Sequence, residues 1–492
     1  MENTSLTTIT TDSSDYIVEE SVQKNIQDDL LLNKSNQNDN DILENPVERK
    51  PRINILSYNR SCNGDDINDI PIGMVGLLNL GNTCYMNSIL QCLFNINSFQ
   101  NIFVDNHIIK YIYPNVINQL SETNKNNISV IWGKTQCTLT YQMHKLISTV
   151  WADVTKIISP NNFRILFGKK IQNFQSYQHQ DSQEALICIL DTIHIELEEQ
   201  VNIDYNFIPE SYLDKFQEIN KQELSDIDIC LLEDEYPDIY ELFSIKRALD
   251  SFNKKSYSVI TKLFQNVISS TLQCPKCNFH TYNFDPTNII IVQIPTNNSS
   301  INMKVINDKI NKLGDIDDNK KSQIRQYLIS KQLQNNNFTL DECFNQLTQV
   351  ERLDDSEKWM CPNCEVKVNA LKQLNIWLPS KIMIVLIKRF MTEFINGEII
   401  FRKLDNLIEF PIEDFNISPY LSNLSKQIGN FTYDLVAISN QIGRLEGGHY
   451  YSYIKSMTDG NWYCLDDDNI KPISIDDIIT PNAYILFYKL RE

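Results

Sequence analysis

The stretch that decides the fold is GNTCYMNSILQCLF, residues 81–94. Its apolar side chains recur at helical spacing and form one stripe: Tyr85, Met86, Ile89, Leu90, Leu93 and Phe94. We therefore predict an amphipathic helix that begins at Cys84, with Thr83 as its N-cap, after a turn marked by Gly81. The N-terminus of a helix stabilises a thiolate, the nucleophilic form of cysteine. Cys84 is therefore a candidate nucleophile, and a buried structural cysteine is the alternative.

Composition narrows the function classes. The chain has 492 residues and a formal net charge of −19, which argues against nucleic acid as its main partner. The sequence contains no signal-peptide core and no run of about 18 apolar residues, so we expect no membrane span. Its 12 cysteines lack the spacing of a disulfide framework. We therefore expect thiols and a metal site in an intracellular protein, cytoplasmic or nuclear.

The pattern along the chain predicts an α+β fold. Residues 1–70 are polar and acidic and are typical of a disordered tail, and the folded part is expected at 71–490. A helix is predicted at 181–197. The acidic stretch 198–253 is either an inserted subdomain or an acidic loop, and 297–337 is interpreted as an insertion. Strands are predicted in SVITKLFQNVISSTLQC, TNIIIVQIP, ALKQLNIWLPSKIMIVLIKRF and NAYILFYKL.

Two Cys-Pro-x-Cys pairs predict a metal site. They are CPKC, with Cys274 and Cys277, and CPNC, with Cys361 and Cys364. Four thiolates suit a tetrahedral zinc ion and leave no open coordination position, so the zinc would be structural. The long separation of the pairs is tolerable because the cost of loop closure grows only slowly with length. Coincidence and a redox dithiol are the alternative interpretations.

The candidate base is His449, in RLEGGHYYSYIK, where two glycines lead into a predicted strand. A base on a strand facing a nucleophile at a helix terminus is the arrangement of papain-like proteases. The following NWYCLDDDNI is the next strand of a hairpin, whose turn is marked by Asp459 and Gly460. Asp466 could face back across this hairpin and orient the imidazole of His449. A solvated turn is the alternative interpretation of the three consecutive aspartates.

In this order, the motifs resemble those of the ubiquitin-specific protease family of deubiquitinating enzymes. GLLNLGNTCYMNSILQCLF is similar to its cysteine box, and YDLVAISNQIGRLEGGHYYSYIK with NWYCLDDDNI to its histidine box. QHQDSQEAL, the two cysteine pairs, IVLIKRF and NAYILFYKL also fall in the family's order. The resemblance covers about residues 72–488. It implies a papain-like fold with a helical thumb (about 72–255), zinc-bearing β fingers (about 256–380) and a β-rich palm (about 381–490).

The resemblance also implies roles for individual residues. Cys84 would be the nucleophile, His449 the general base and acid, Asp466 its orienter, and Asn79 the donor to the oxyanion. Asp467 falls where some members have a further polar contributor. Asp181 would contact the basic tail of ubiquitin, and Gly448 and Tyr450 are further candidates for substrate binding.

The function expected from the sequence is a thiol-dependent deubiquitinase. It would cleave the isopeptide or peptide bond after the C-terminal glycine of ubiquitin through a thioester on Cys84. Its partners would be ubiquitin and ubiquitinated proteins, and we expect a monomer. The alternatives are a catalytically silent ubiquitin-binding scaffold and a protease for another ubiquitin-like modifier. A zinc-ribbon protein that binds nucleic acid is disfavoured by the acidic charge.

Overall fold

A computed structural model gives the fold and describes residues 70–104, 137–152, 154–199, 207–220, 235–254, 256–295, 310, 321, 337–395, 398–444 and 447–491. The chain forms two compact units. Of the described residues, those within 71–164 and 177–491 belong to the larger unit, and 70 and 165–176 belong to the smaller. The predicted tail before Ile70 and nearly all of the predicted insertion at 297–337 lie outside the described residues.

Within the smaller unit, the described residues 165–176 contain a helical end and a 3-10 turn at Gln172–Phe174. The rings of Phe167 and Phe174 stack with their centroids 4.5 Å apart. The N–H of Phe174 donates a hydrogen bond to the carbonyl of Ile171, and this bond closes the 3-10 turn directly after the helix.

The main helices precede most of the strands in the chain. They are α1 (Cys84–Phe94), α2 (Asn97–Val104), α3 (Leu139–Trp151), α4 (Asn161–Lys170), α5 (Ser182–Leu197), α6 (Glu210–Asn220), α7 (Pro237–Asn253), α8 (Val259–Phe264) and α9 (Leu340–Leu347). Side chains satisfy several of their free backbone N–H groups. Thr138 caps α3, and Glu196 of α5 accepts from the N–H groups of Leu139 and Thr140 at 2.9 and 2.7 Å. These bonds join α3 to α5.

The strands form two larger sheets and several short pairs. They are β1 (Gly76–Leu77), β2 (Ile157–Ile158), β3 (Asn266–Gln273), β4 (His280–Thr287), β5 (Ile289–Gln293), β6 (Phe338–Thr339), β7 (Glu351–Arg352), β8 (Trp359–Cys361), β9 (Val366–Val368), β10 (Leu371–Leu378), β11 (Ile382–Lys388), β12 (Phe390–Ile395), β13 (Glu398–Lys403), β14 (Ile408–Glu409), β15 (Phe415–Asn416), β16 (Thr432–Ile442), β17 (His449–Lys455), β18 (Trp462–Asp466), β19 (Asn469–Ile473) and β20 (Ala483–Leu490). The predicted hairpin at Asp459 and Gly460 is present between β17 and β18, and Gly460 adopts a φ of 76°.

The large sheet has the order β19-β18-β17-β16-β20-β11-β5, and β15 also pairs with β16. Only the β11–β5 pair in it is parallel among the strands described. Strand β11 is buried from Ile382 to Ile387, as expected of a strand covered on both faces. One face packs on α9 through Leu340 and Phe344. A second sheet, β4-β3-β10-β7, carries the segment that leads to the first cysteine pair.

Helix α1 differs from its predicted amphipathic form, because all eleven of its residues are buried. It packs against β17, β16, α5 and α2, so no face of it is left to solvent. Its polar side chains are therefore hydrogen-bonded inside the protein: Ser88 Oγ lies 2.7 Å from Ser439 Oγ, and Gln91 Nε2 donates to the carbonyl of Val75 at 2.6 Å. The helix position itself was predicted correctly.

In two further regions the structure differs from the sequence prediction or decides between its alternatives. The predicted strand run after Ser258 begins with a helix, α8, because Ser258 and Thr261 form a reciprocal capping box. The acidic stretch contains helices α6 and α7, which favours the inserted-subdomain alternative. Their apolar residues form a cluster with Phe284 and Trp377 of the second sheet. Of the helices described, none is long and apolar enough to cross a membrane.

Candidate active site

Cys84 lies at the first position of α1, after a tight turn. Gly81 and Asn82 adopt the left-handed φ values of 100° and 53° in the turn that leads into the helix. Thr83 is the N-cap residue, as predicted, but its hydroxyl bonds back to Leu80 and Asn79 and does not cap the helix. The Cys84 side chain is 3% exposed. It therefore sits at the amino end of a fully packed helix.

His449 and Asp466 face each other at one end of the β17–β18 hairpin. His449 begins β17 and Asp466 ends β18, and the imidazole Nε2 lies 2.6 Å from Asp466 Oδ1. The pKa of His449 is raised to about 10, first by this hydrogen bond and next by the neighbouring Cys84 side chain, while burial acts in the opposite direction. Since Nε2 is engaged by Asp466, Nδ1 is the nitrogen left to serve Cys84. The structure thus pairs His449 with Asp466 and sets this pair near Cys84, and the catalytic roles of the three residues stay a prediction.

Asn79 is held in one orientation by its neighbours. Its Oδ1 accepts hydrogen bonds from the backbone N–H groups of Gly81 and Thr83 at 3.0 and 3.1 Å. Its Nδ2 therefore points the other way and donates to Asp467 Oδ2 at 2.9 Å. Burial raises the pKa of Asp467, and its hydrogen bonds from Asn79 and Asn87 oppose that shift. The amide of Asn79 is thus fixed before any substrate arrives.

The three residues predicted to bind substrate have structural contacts of their own. Asp181 caps α5 through Gln183 N at 2.8 Å and accepts from the Tyr484 hydroxyl at 2.8 Å. Burial raises the pKa of Asp181. Tyr450 is 3% exposed, and a Cβ at Gly448 would lie 2.3 Å from Gln441 Nε2. Contact of these residues with a substrate stays a prediction.

The two cysteine pairs come together as one cluster. Cys274 Sγ lies 3.9 Å from Cys364 Sγ, and Cys277 Sγ lies 3.7 Å from Cys361 Sγ. Four sulfurs about 2.3 Å from a tetrahedral zinc ion would lie about 3.8 Å apart, so the spacing fits this metal. The two turns also match each other, since Asn278 and Glu365, which follow the second cysteine of each pair, have φ values of 60° and 54°. The cluster is compatible with a zinc site.

Comparison with known proteins identifies the family. The family model described as "Ubiquitin carboxyl-terminal hydrolase" matches residues 75–488. The chain belongs to the ubiquitin carboxyl-terminal hydrolase family. This confirms the family resemblance of the sequence motifs.

Members of this family from yeast and human are similar to the chain. Ubiquitin carboxyl-terminal hydrolase 4 of Saccharomyces cerevisiae is 29% identical over 423 residues, and the match covers 84% of this chain and 39% of that protein. Ubiquitin carboxyl-terminal hydrolase 2 of Homo sapiens is 26% identical over 419 residues, covering 85% of this chain and 55% of that protein. The chain therefore spans about two fifths to just over half of these relatives.

Two solved structures share the fold. The SAGA Ubp8/Sgf11/Sus1/Sgf73 DUB module bound to ubiquitin aldehyde matches with a TM-score of 0.54 and 22% identity, covering 86% of this chain and 70% of that chain. The module bound to monoubiquitin matches with a TM-score of 0.54, 20% identity and the same coverage. The predicted α+β fold of a ubiquitin-specific protease is confirmed.

Sequence reasoning missed two members of the site. Asn87, on α1, donates to Asp467 Oδ1 at 2.8 Å, and Tyr484, on β20, holds Asp181. A signal for Asn87 was present in the sequence, because it is a polar residue three positions, or about one helical turn, after Cys84. Tyr484 gave no such signal within NAYILFYKL, where aromatic residues are ordinary in a buried strand.

Proposed function

We propose that the chain is a thiol-dependent deubiquitinase that hydrolyses the isopeptide or peptide bond after the C-terminal glycine of ubiquitin. The observation that carries this proposal is the Cys84–His449–Asp466 arrangement, in which one imidazole is hydrogen-bonded to a carboxylate and has its pKa raised by the neighbouring candidate nucleophile. Membership of the family and likeness to modules solved with bound monoubiquitin or ubiquitin aldehyde support the choice of ubiquitin.

The first half of the reaction forms a thioester. The proton of the Cys84 thiol passes to His449, whose pKa is raised, and the resulting thiolate attacks the carbonyl carbon of the terminal glycine. The protonated imidazole then gives this proton to the departing amine, usually of a lysine, as the C–N bond breaks. Asp466 holds the ring by Nε2, so that Nδ1 remains directed at the reacting atoms.

The oxyanion formed in this step needs hydrogen-bond donors. The backbone N–H of Cys84 and the Nδ2 of Asn79 are the proposed donors, and Asn79 Nδ2 has a second hydrogen besides the one given to Asp467. Loss of one such donor typically costs about 10²–10³ in rate. In the second half of the reaction, His449 takes a proton from water, which attacks the thioester and releases the ubiquitin carboxylate.

We further propose that the cysteine cluster holds a structural zinc ion. Cys274, Cys277, Cys361 and Cys364 would be the ligands, and their sulfur spacing supports this set. The ion would tie the β3–β4 turn to the β8–β9 turn. It would take no part in the chemistry, since four thiolates fill its coordination sphere.

The acidic character of the site is compatible with the basic tail of ubiquitin. Asp181 remains the proposed acidic contact, although both of its carboxylate oxygens already accept hydrogen bonds within the protein. Gly448 and Tyr450 flank His449 and are proposed to border the path of the Gly-Gly tail. A channel that admits only glycine at this point would select substrates by their last two residues.

The test uses a ubiquitin–fluorophore conjugate and a ubiquitin whose C-terminus carries a thiol-reactive group. We expect the wild-type chain to release the fluorophore and to be labelled on Cys84, as mapped by mass spectrometry. Cys84→Ala should abolish both, whereas Cys137→Ala, at an exposed cysteine, should leave both unchanged. Labelling of another cysteine would rule out Cys84 as the nucleophile, and an inactive wild-type chain that still binds ubiquitin would favour the silent-scaffold alternative. Faster cleavage of a ubiquitin-like modifier would favour the third alternative.

A further inference from the structure

The turn between β18 and β19 places one carboxylate between two asparagine side chains. Asp467 adopts a φ of 52°, and its carbonyl accepts from the N–H of Leu77 at 2.8 Å. Its Oδ2 accepts from Asn79 Nδ2 at 2.9 Å, and its Oδ1 accepts from Asn87 Nδ2 at 2.8 Å. Each carboxylate oxygen thus has its own amide donor, one from the segment before α1 and one from α1 itself.

Asn87 is built into the same rigid element as the candidate nucleophile. It lies three residues after Cys84, about one helical turn, and its side chain is 2% exposed. Its Nδ2 also lies 3.4 Å from the carbonyls of Leu77 and Leu78, so the bond to Asp467 is its shortest. Any displacement of Asp467 relative to α1 must therefore break or stretch this bond.

The chain of contacts runs from Asn87 to the oxyanion donor. Two backbone N–H groups hold Asn79 Oδ1 and the Asp467 carboxylate holds Asn79 Nδ2, so the direction of Nδ2 depends in part on where that carboxylate lies. A donor that is misplaced by about 1 Å loses much of its contribution to the transition state. The position of the Asn79 amide, the part of this network nearest to the substrate, therefore depends on how firmly Asp467 is held.

We propose that Asn87 is a positioning residue, which holds the Asp467 carboxylate so that its other oxygen aims the Asn79 amide at the developing oxyanion. This inference rests on the proposed deubiquitinase function and adds to it a residue that touches neither substrate nor the Cys84–His449 pair. A merely structural role in the buried helix would instead lower stability and leave turnover unchanged.

The first test compares Asn87→Ala, Asn79→Ala and the double variant on the ubiquitin–fluorophore substrate. We expect Asn87→Ala to lower kcat by about 10- to 100-fold with little change in KM, because it loosens but does not remove one oxyanion donor. The double variant should be no slower than Asn79→Ala alone, since both changes act through one amide. The rate of Cys84 alkylation by iodoacetamide should stay at the wild-type value in Asn87→Ala.

Asn95→Ala is the matched control. Asn95 is also a buried asparagine, 1% exposed, but it lies at the other end of α1 and donates to the carbonyl of Gln91 at 3.1 Å. We expect its kcat to stay within twofold of wild type, even where its thermal stability falls. Equal kcat losses in Asn95→Ala and Asn87→Ala would show a general effect of helix stability and overturn the proposal.

Asn87→Asp serves where the alanine variant does not fold, because it keeps the shape of the side chain. It sets a second carboxylate against Asp467, and the other ionisable groups acting on Asp467 are His449 and Asp466. At pH 8 the two carboxylates repel, whereas near pH 5.5 they can share one proton and restore a donor. Activity relative to wild type should therefore rise as the pH falls. The proposal would be overturned if the activity of Asn87→Asp relative to wild type did not change with pH, or if Asn87→Ala had the wild-type kcat. It would also be overturned if the losses of kcat in the two single variants multiplied in the double variant. An inactive wild-type protein would instead overturn the proposed function itself.

Discussion

Gly76→Ala tests whether strand β1 fixes the position of the Asp467 turn. A Cβ at Gly76 would lie 2.7, 2.8 and 2.9 Å from the backbone O, Cα and C of Asp468. Ordinary contact begins at 3.4 Å, so β1 and the turn must separate by about 0.7 Å, the difference between 3.4 and 2.7 Å. The neighbouring bond from Leu77 N to Asp467 O, now 2.8 Å, would then stretch to about 3.5 Å and be lost.

We expect Gly76→Ala to lower the thermal stability slightly and the turnover strongly. Overpacking of this kind costs about 1–3 kcal/mol. The unfolding entropy of a chain of this length is about 1 kcal/mol per kelvin, so Tm should fall by only about 1–3 °C. Turnover should suffer more, because Asp467 orients the amide of Asn79. The fall in kcat should approach the roughly 10²–10³-fold loss that follows removal of one oxyanion donor.

The assay measures kcat and KM on the ubiquitin–fluorophore substrate beside a thermal melt. Gly429→Ala is the matched control, since the nearest atom to a Cβ at Gly429 is Phe431 Cζ at 3.9 Å. We expect the control to behave as wild type in both measurements. A Gly76→Ala protein with kcat within twofold of wild type would refute the reasoning, because a displaced turn must then have no effect on the oxyanion.

Three further predictions concern the base, the metal and a buried acid. Removing the carboxylate with Asp466→Asn should lower the pKa of His449, now raised to about 10, so the alkaline limb of kcat/KM should move to lower pH. Cys361→Ser, or treatment with a strong chelator, should remove one zinc ion per chain and destabilise the second sheet, as measured by metal analysis and thermal melting; unchanged metal content would contradict the four-ligand site. Burial raises the pKa of Glu241, which accepts from Trp377 Nε1, to about 7, so the fold loses stability as pH rises from 4.5 to 7. Glu241→Gln should therefore gain up to about 3 kcal/mol at pH 8 and almost nothing near pH 4.5, as measured by urea unfolding.

Local patterns predicted the elements whose signals lie within a few residues. The start of α1, the helix after Asp181 and the β17–β18 hairpin all follow from caps, periodicity and an Asp-Gly turn. The burial of every face of α1 could not be predicted this way, because it depends on strands that come more than 340 residues later, such as β16 and β17. The helix after Ser258 was missed since its β-branched residues also suit a strand.

Members of the candidate site could be predicted where the chemistry of a residue type indicates a single role. A thiol at a helix start, an imidazole at a strand start and a carboxylate across a hairpin can be paired by chemistry alone. The contacts of Asn87 and Asn79 with Asp467 join residues 380 and 388 positions apart, and they depend on a backbone angle that sequence patterns do not report. These contacts could be identified only from the three-dimensional structure.

Two consecutive aspartates serve different sides of the reaction because the backbone reverses between them. Asp466 still belongs to β18 and faces the imidazole of His449, whereas Asp467, at φ 52°, has left the strand and turns its carboxylate to Asn79. Aspartate tolerates this left-handed conformation better than most residues, which explains how a side chain with a charge can occupy a position that glycine would favour. The proposed base and the proposed oxyanion donor are thereby fixed by one turn, and both are set against the same helix that carries Cys84.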